Sequence, residues 1–280
     1  MSTNPYFSLV LERVPPLLGQ LDREPHSLSF GSFDREHWAW KFVDFPIGML
    51  QAGLLPLAIL WRAAWPGNPY YNSEKIHGWI EAALRSTMAR QHRNGAFDSV
   101  GPNTQDHGAT LAIAYALTEA ARLLGPALAP DLRERLPEVT RRACDFAGRS
   151  QEDYAFISNH HALFALAWWN ASELLDEPQF RQSAGDVLKG ILRHQSVEGW
   201  YEEYGGPDPG YESLGIHYLA LYWQRTGDRA VLESLRRSVR FLWHFVHPDG
   251  SIGGVYGSRH ASLYFPGGLE ILAGEIPEAA

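Results

Sequence analysis

Hydrophobic and polar positions divide the chain into two alternating kinds of helix-period segment. Residues 5–21, 72–91, 130–149, 177–195 and 228–247 carry charge on one face and apolar residues at three- and four-residue spacing, the pattern of helices with one solvated side. Residues 38–65, 106–124, 159–175, 210–225 and 260–273 are small and apolar nearly all round, the pattern of buried helices. No sustained period-2 alternation marks a sheet. The expectation is an all-α chain of about five helical hairpins, an outer helix and an inner helix in each, arranged as an α/α toroid, complete or open.

Local signals agree with these segments. Asp106 is placed to cap the helix that starts at His107, Ser158 or Asn159 the next inner one, and Asp228 an outer one. Pro130 and Pro178 stand near helix starts, and Gly125 and Gly227 near ends. With no linker or composition break, residues 1–280 are expected to form one domain.

The turns repeat as well. Gly31-Ser32-Phe33-Asp34 precedes His37, Gly95-Ala96-Phe97-Asp98 precedes His107, and Tyr154-Ala155-Phe156 precedes Asn159-His160-His161. Gly199-Trp200-Tyr201-Glu202 precedes Tyr211, and Gly250-Ser251-Ile252 precedes His260. A supersecondary unit reused every 45 to 65 residues or so has this form. In a toroid the inner helices all run one way, so the residues that open them should gather around one mouth, with Asp34, Asp98, Glu202 and Glu203 beside them. Aligned helix amino termini would favour an anionic ligand there.

Composition narrows the partner. The 280 residues are 45% hydrophobic and 20% charged, with a net charge of −8; with no basic stripe, nucleic acid is not an expected partner. The longest apolar stretch, residues 47–61, is interrupted by Gln51, Gly53 and Pro56 and is too short for a membrane span. Residues 1–10 lack the form of a secretory signal, which points to the cytoplasm. The lone Cys144 has no intrachain disulfide partner. His160 and His161 are adjacent rather than four apart, so neither a metal nor another cofactor is expected. Trp38 and Trp40 near His37, and Tyr201, Tyr204 and Tyr211, set flat apolar surfaces beside polar groups, which suits a sugar ring. A terpenoid cyclase would need an Asp-x-Asp-Asp or Asp-Asp-x-x-Asp cluster, and the chain has neither.

From residue 158 onward a more particular pattern emerges. Ser158-Asn159-His160-His161-Ala162-Leu163-Phe164, then Arg193-His194-Gln195 through Gly199-Trp200-Tyr201-Glu202-Glu203, then Pro209-Gly210-Tyr211 and His217-Tyr218, resemble the helical domain of heparinase II/III-like polysaccharide lyases. The resemblance covers about residues 150–225. It implies that Asn159 neutralises a uronate carboxylate, that Tyr211 acts as base or acid, and that His160 assists. Positive charge from His107 or His260 would bring Tyr211 into a useful range. His37, Trp38, Trp200 and Arg259, with Asp34, Asp98, Glu202 and Glu203, would line the substrate path.

Two other functions remain open at this point. An inverting glycoside hydrolase would use Glu202 or Glu203 as acid and Asp98 or Asp34 as base, with the carboxyls roughly 6.5 to 9.5 Å apart. A non-catalytic glycan-binding or assembly module would keep the cleft without the chemistry. An open toroid would leave an apolar flank, through which a homodimer is expected.

Overall fold

The helices start where the sequence offers a cap or a proline. Asp106 accepts from Ala109 N at 2.6 Å, Asp228 from Ala230 N at 2.8 Å, and Asp208 from Gly210 N at 3.0 Å, while Pro130 and Pro178 occupy first-turn positions. The computed structural model describes residues 6–153, 155–252 and 264–280. Among them are eleven α-helices and no strand, with only isolated β-bridges in the turns. The chain divides into two compact units, Met1–Ser150 and Gln151–Ala280.

The first unit holds α1 (Tyr6–Gln20), α2 (Arg35–Trp38), α3 (Leu54–Arg62), α4 (Glu74–Met88), α5 (His107–Leu124) and α6 (Pro130–Ala147). Every residue of α5 from Ala109 to Ala121 is buried, as its all-round apolar sequence requires. Leu54 and Leu57 of α3, Ile80 and Leu84 of α4, Leu117 of α5 and Leu132 of α6 meet in one core. The outer helices α4 and α6 turn their charged faces to water and are tied by Arg85, whose guanidinium bonds both Asp131 oxygens at 2.8 Å.

One inner segment differs from its expected form. Residues 38–65 are not a single buried helix: α2 ends at Trp38, and α3 begins only at Leu54 after a 3-10 turn, Met49–Gly53. Pro46 lacks the N–H that a helix would use there, Lys41 has a positive φ of 56°, and Ile47 N donates to Asp34 Oδ2 at 2.9 Å. Trp40 and Phe42 consequently stand in solvent.

The second unit holds α7 (Ser158–Leu175), α8 (Pro178–His194), α9 (Pro209–Thr226), α10 (Arg229–Trp243) and α11 (Gly267–Leu272). Residues 260–263 of the fifth expected inner segment lie outside the described residues. Helices α7 and α9 run parallel. Near their starts Gly215 Cα lies so close to Asn159 that an added Cβ would sit 3.8 Å from its Cα. Ten residues further along α9, Arg225 bonds Asn170, eleven residues further along α7. Their amino termini therefore share one end of this unit.

The repeated turns have a common internal construction. Four glycines, Gly31, Gly95, Gly199 and Gly250, have φ of 83°, 99°, 106° and 81°, which only glycine adopts freely. Each donates its N–H to a residue upstream, Asp22, His92, Ser196 or His247, whose own N–H returns to the carbonyl after the glycine. A Cβ on Gly31, Gly95 or Gly199 would fall within 2.3, 2.0 and 2.5 Å of backbone atoms of Ala82, Arg142 and Arg237 respectively. The turn is thus seated on the next outer helix. Gln91 and Gln195 fasten two of these seats, each donating to its glycine's carbonyl and to Val139 O or Ser234 O.

Two residues after each of the first three glycines stands a fully buried aromatic ring: Phe33, Phe97 and Tyr201. A backbone N–H buried with it needs an acceptor. Gln51 Oε1 serves Phe33 at 3.0 Å, Thr110 Oγ1 serves Phe97 at 2.9 Å, and Glu212 serves Tyr201 at 3.0 Å.

Candidate active site

In the second unit the loop that follows Gly199 folds across the start of α7. Ser158 N and Ser158 Oγ both donate to Glu202 O, at 3.0 and 2.8 Å, and Tyr204 N donates to Phe156 O. Helix α7 has no cap from its own sequence, contrary to the expectation for Ser158 or Asn159; Ile157 occupies the cap position. The buried Glu203 does this from across the loop. Its Oε1 accepts from Asn159 N and its Oε2 from Asn159 Nδ2, each at 2.8 Å. Burial pushes the Glu203 carboxyl up to about 7, against the opposing pull of those Asn159 bonds.

Around this pair the structure brings several expected residues together. His160 follows Asn159 on α7, and its Nδ1 lies 3.0 Å from Glu152 Oε1; its ring is about one-third exposed while Glu152 is nearly buried. Tyr211 opens α9, its N–H bonded to the Asp208 cap at 3.1 Å. It lies one turn before Gly215, about 6 Å nearer the helix start and on the same face, so it shares the mouth of this unit with Asn159. Glu202 Oε2 meets His194 Nδ1 at 2.6 Å, and Trp200 Nε1 bonds Glu198. Phe156 is stacked between the rings of His161 and His194, at 4.3 and 3.8 Å. His161 Nδ1 donates to Ile157 O at 2.8 Å, and burial holds its pKa below the ordinary histidine value.

Behind the mouth lies Glu212, fully enclosed, accepting from Tyr201 N and Ser238 Oγ. Burial raises it to about 8, so it is mostly neutral at pH 7. Neither Glu212 nor Glu152 was apparent as a site neighbour from the sequence. Glu212 had a signal in its place beside Tyr211 at a helix start; Glu152 had none.

Of the other expected residues, Asp34, His37, Trp38, Asp98 and His107 belong to the first unit. Asp34 is 2% exposed, and its oxygens accept from the backbone of Glu36, His37 and Ile47, so it secures the segment after α2. His37 Nδ1 bonds Val43 O, and Trp38 Nε1 donates to Gln20 O at 2.7 Å. His107 Nδ1 lies 3.0 Å from Ser150 Oγ. Asp98 pairs with His92 at 2.9 Å. His260 and Arg259 lie outside the described residues. Among the described residues no group of three or more His, Cys, Asp or Glu is placed to hold a metal, and no helix is long and apolar enough to cross a membrane.

Parallel inner helices with polar starts, backed by amphipathic outer helices, define an all-α protein of the helical polysaccharide-lyase kind. Residues 61–268, well over half of the chain, match the model of the Ulvan lyase N-terminal domain, and the chain belongs to that family. The fold is shared with solved lyase structures of the helical toroid class. A Paenibacillus xanthan lyase aligns with a TM-score of 0.64 at 12% identity, over 97% of this chain and 27% of that one. A second polysaccharide lyase aligns with a TM-score of 0.53 at 15% identity, over 88% and 36%. This chain thus spans about a quarter to a third of the length of those proteins. No curated protein sequence matches it.

Proposed function

We propose that the chain is the helical part of a lyase that cleaves a uronate-containing glycan by β-elimination, with Asn159, His160 and Tyr211 as its reacting group. The observation that carries this reading is the shared mouth of α7 and α9, where an amide, an imidazole and a phenol stand at adjacent helix starts. In such a reaction a base removes the proton next to the uronate carboxylate. The adjacent carbon–oxygen bond then breaks, a carbon–carbon double bond forms, and an acid returns a proton to the departing sugar oxygen. Asn159 would donate to the carboxylate as it takes on enolate character. Tyr211 would move the proton as base or acid, with His160 assisting. The positive ends of two parallel helices favour both the anionic substrate and the ionised phenol.

The test is incubation with a panel of uronic-acid glycans, following the ultraviolet absorbance of unsaturated products. Signal from the native protein that vanishes in Tyr211→Phe is expected. New reducing ends without unsaturated product would instead support a hydrolase, for which Glu203, raised to about 7, has the pKa of a general acid. Binding with neither product would support a glycan-binding module.

A further inference from the structure

Residues 151–153, between α6 and α7, differ sharply in exposure. Gln151 and Asp153 are exposed, while the Glu152 side chain between them is 6% exposed. A carboxylate withdrawn from water is costly unless it is paired. Both Glu152 oxygens lie against one atom, His160 Nδ1, at 3.0 and 3.2 Å. A carboxylate only accepts, so Nδ1 is the nitrogen that carries the proton.

The adjacent His161 is a contrast. Its Nδ1 is engaged too, on Ile157 O, but its ring is stacked on Phe156 and partly desolvated. The His160 ring is about one-third exposed. Its Nε2 has no hydrogen-bond partner among the described residues and is not enclosed. Phe164, one turn further along α7, tilts against the same ring at 6.1 Å. The imidazole is thus held at one nitrogen and steadied by a neighbouring ring, with its other nitrogen open at the start of α7.

We infer that Glu152 is a positioning residue for His160: it holds the Nδ1–H tautomer and leaves Nε2 as a bare acceptor for the substrate. Which nitrogen of a histidine is protonated is set by the hydrogen bond that the other one makes. A bare Nε2 can take a hydrogen bond or a proton from a sugar, which an Nε2–H cannot. The role in turnover rests on the β-elimination reading above; the tautomer does not.

The test is nitrogen-15 NMR of the histidine rings in the full chain at about pH 8.5, well above the ordinary histidine pKa of about 6.5. The His160 signals are identified by their loss in His160→Gln. The native protein should show His160 protonated at Nδ1 alone. Glu152→Gln keeps the shape but can donate to Nδ1 as well as accept from it, and Glu152→Leu can do neither. Both should gain the Nε2–H form, Glu152→Leu the more. On a uronic-acid glycan that yields unsaturated product, kcat should fall about 10- to 100-fold in Glu152→Leu with KM within about twofold, and Glu152→Gln should recover part of the loss. A tie that only anchored residue 152 to α7 would change the melting temperature and neither of these readouts. The inference is overturned by an Nε2–H form in the native protein, by an undiminished Nδ1–H form in Glu152→Gln, or by unchanged kcat where the tautomer is lost. If Glu152→Leu does not fold, Glu152→Gln and the native spectrum decide. The lyase reading fails separately, by the absence of unsaturated product from the native protein, and the spectra do not depend on it.

Discussion

Asn159 is bound to Glu203 twice, through its backbone N–H and its side-chain amide, both at 2.8 Å and both in the interior. The carboxylate therefore fixes which way the amide points. With Nδ2 turned to Glu203, the second Nδ2 hydrogen and Oδ1 face elsewhere, and the orientation lasts while Glu203 remains an acceptor on both oxygens.

Glu203→Gln should therefore reverse the amide. The new Nε2 cannot face the Asn159 Nδ2, so the Asn159 side chain turns to present its carbonyl. We expect turnover to fall on the order of 100-fold, the scale of losing one donor at a developing oxyanion, with stability changed by no more than about 1 kcal/mol. Glu203→Ala should in addition release the start of α7 and cost about 1–3 kcal/mol. Steady-state rates and denaturant melts of the two variants separate these outcomes.

The same pair predicts a pH dependence. Glu203 titrates at about 7 because it is buried, and only its ionised form accepts on both oxygens. Activity should rise with pH through about 7, and that limb should be missing from Glu203→Gln. A limb unchanged in the variant would assign it to another group.

Stability should run the other way. Burial raises both Glu203, to about 7, and Glu212, to about 8, from the unfolded value of 4.5. The folded state then holds more protons between those limits, so stability is full below pH 4.5, declines as pH rises, and has lost this contribution above about pH 8. Glu212→Gln should flatten the decline and leave stability at pH 8 equal or higher. Gln51 already does the same task for Phe33 N–H in an equivalent turn. Urea melts from pH 5 to 8.5 give the slopes.

The glycine seats give a paired comparison. Gly199→Ala forces a Cβ to within 2.5 Å of Arg237 O at a φ of 106°, and should cost on the order of 2–4 kcal/mol. Gly185→Ala lies in α8 with nothing near the added carbon, and should stabilise by about 0.5–1 kcal/mol. Thermal melts of the two variants should shift in opposite directions.

Helical periodicity was enough to place α1 and α4 to α10 within a few residues, because each depends on a local pattern of apolar positions closed by a cap, a proline or a glycine. The repeated glycine turns were equally visible, since a positive φ can be read from the residue that tolerates it. What they accomplish was not: the seat against the next outer helix and the side chain that accepts the buried aromatic's N–H come from residues 11 to 18 positions on or more. The segment 38–65 shows the limit of periodicity. Its apolar residues satisfy a buried-helix pattern, yet Pro46 and the tie from Asp34 to Ile47 N break it, and Trp40 and Phe42 are left in water.

The sequence by itself determined the alternation of outer and inner helices, the turns between them, and the polar residues that open α7 and α9. Only the tertiary structure decided how those residues are used. Asp34 was drawn into backbone bonds, Glu203 was turned inward onto Asn159, and Glu152 was brought to His160. Periodicity is a property of neighbours along the chain. The charge state and orientation of a side chain depend on burial and on partners from distant segments, and these exist only once the helices have packed.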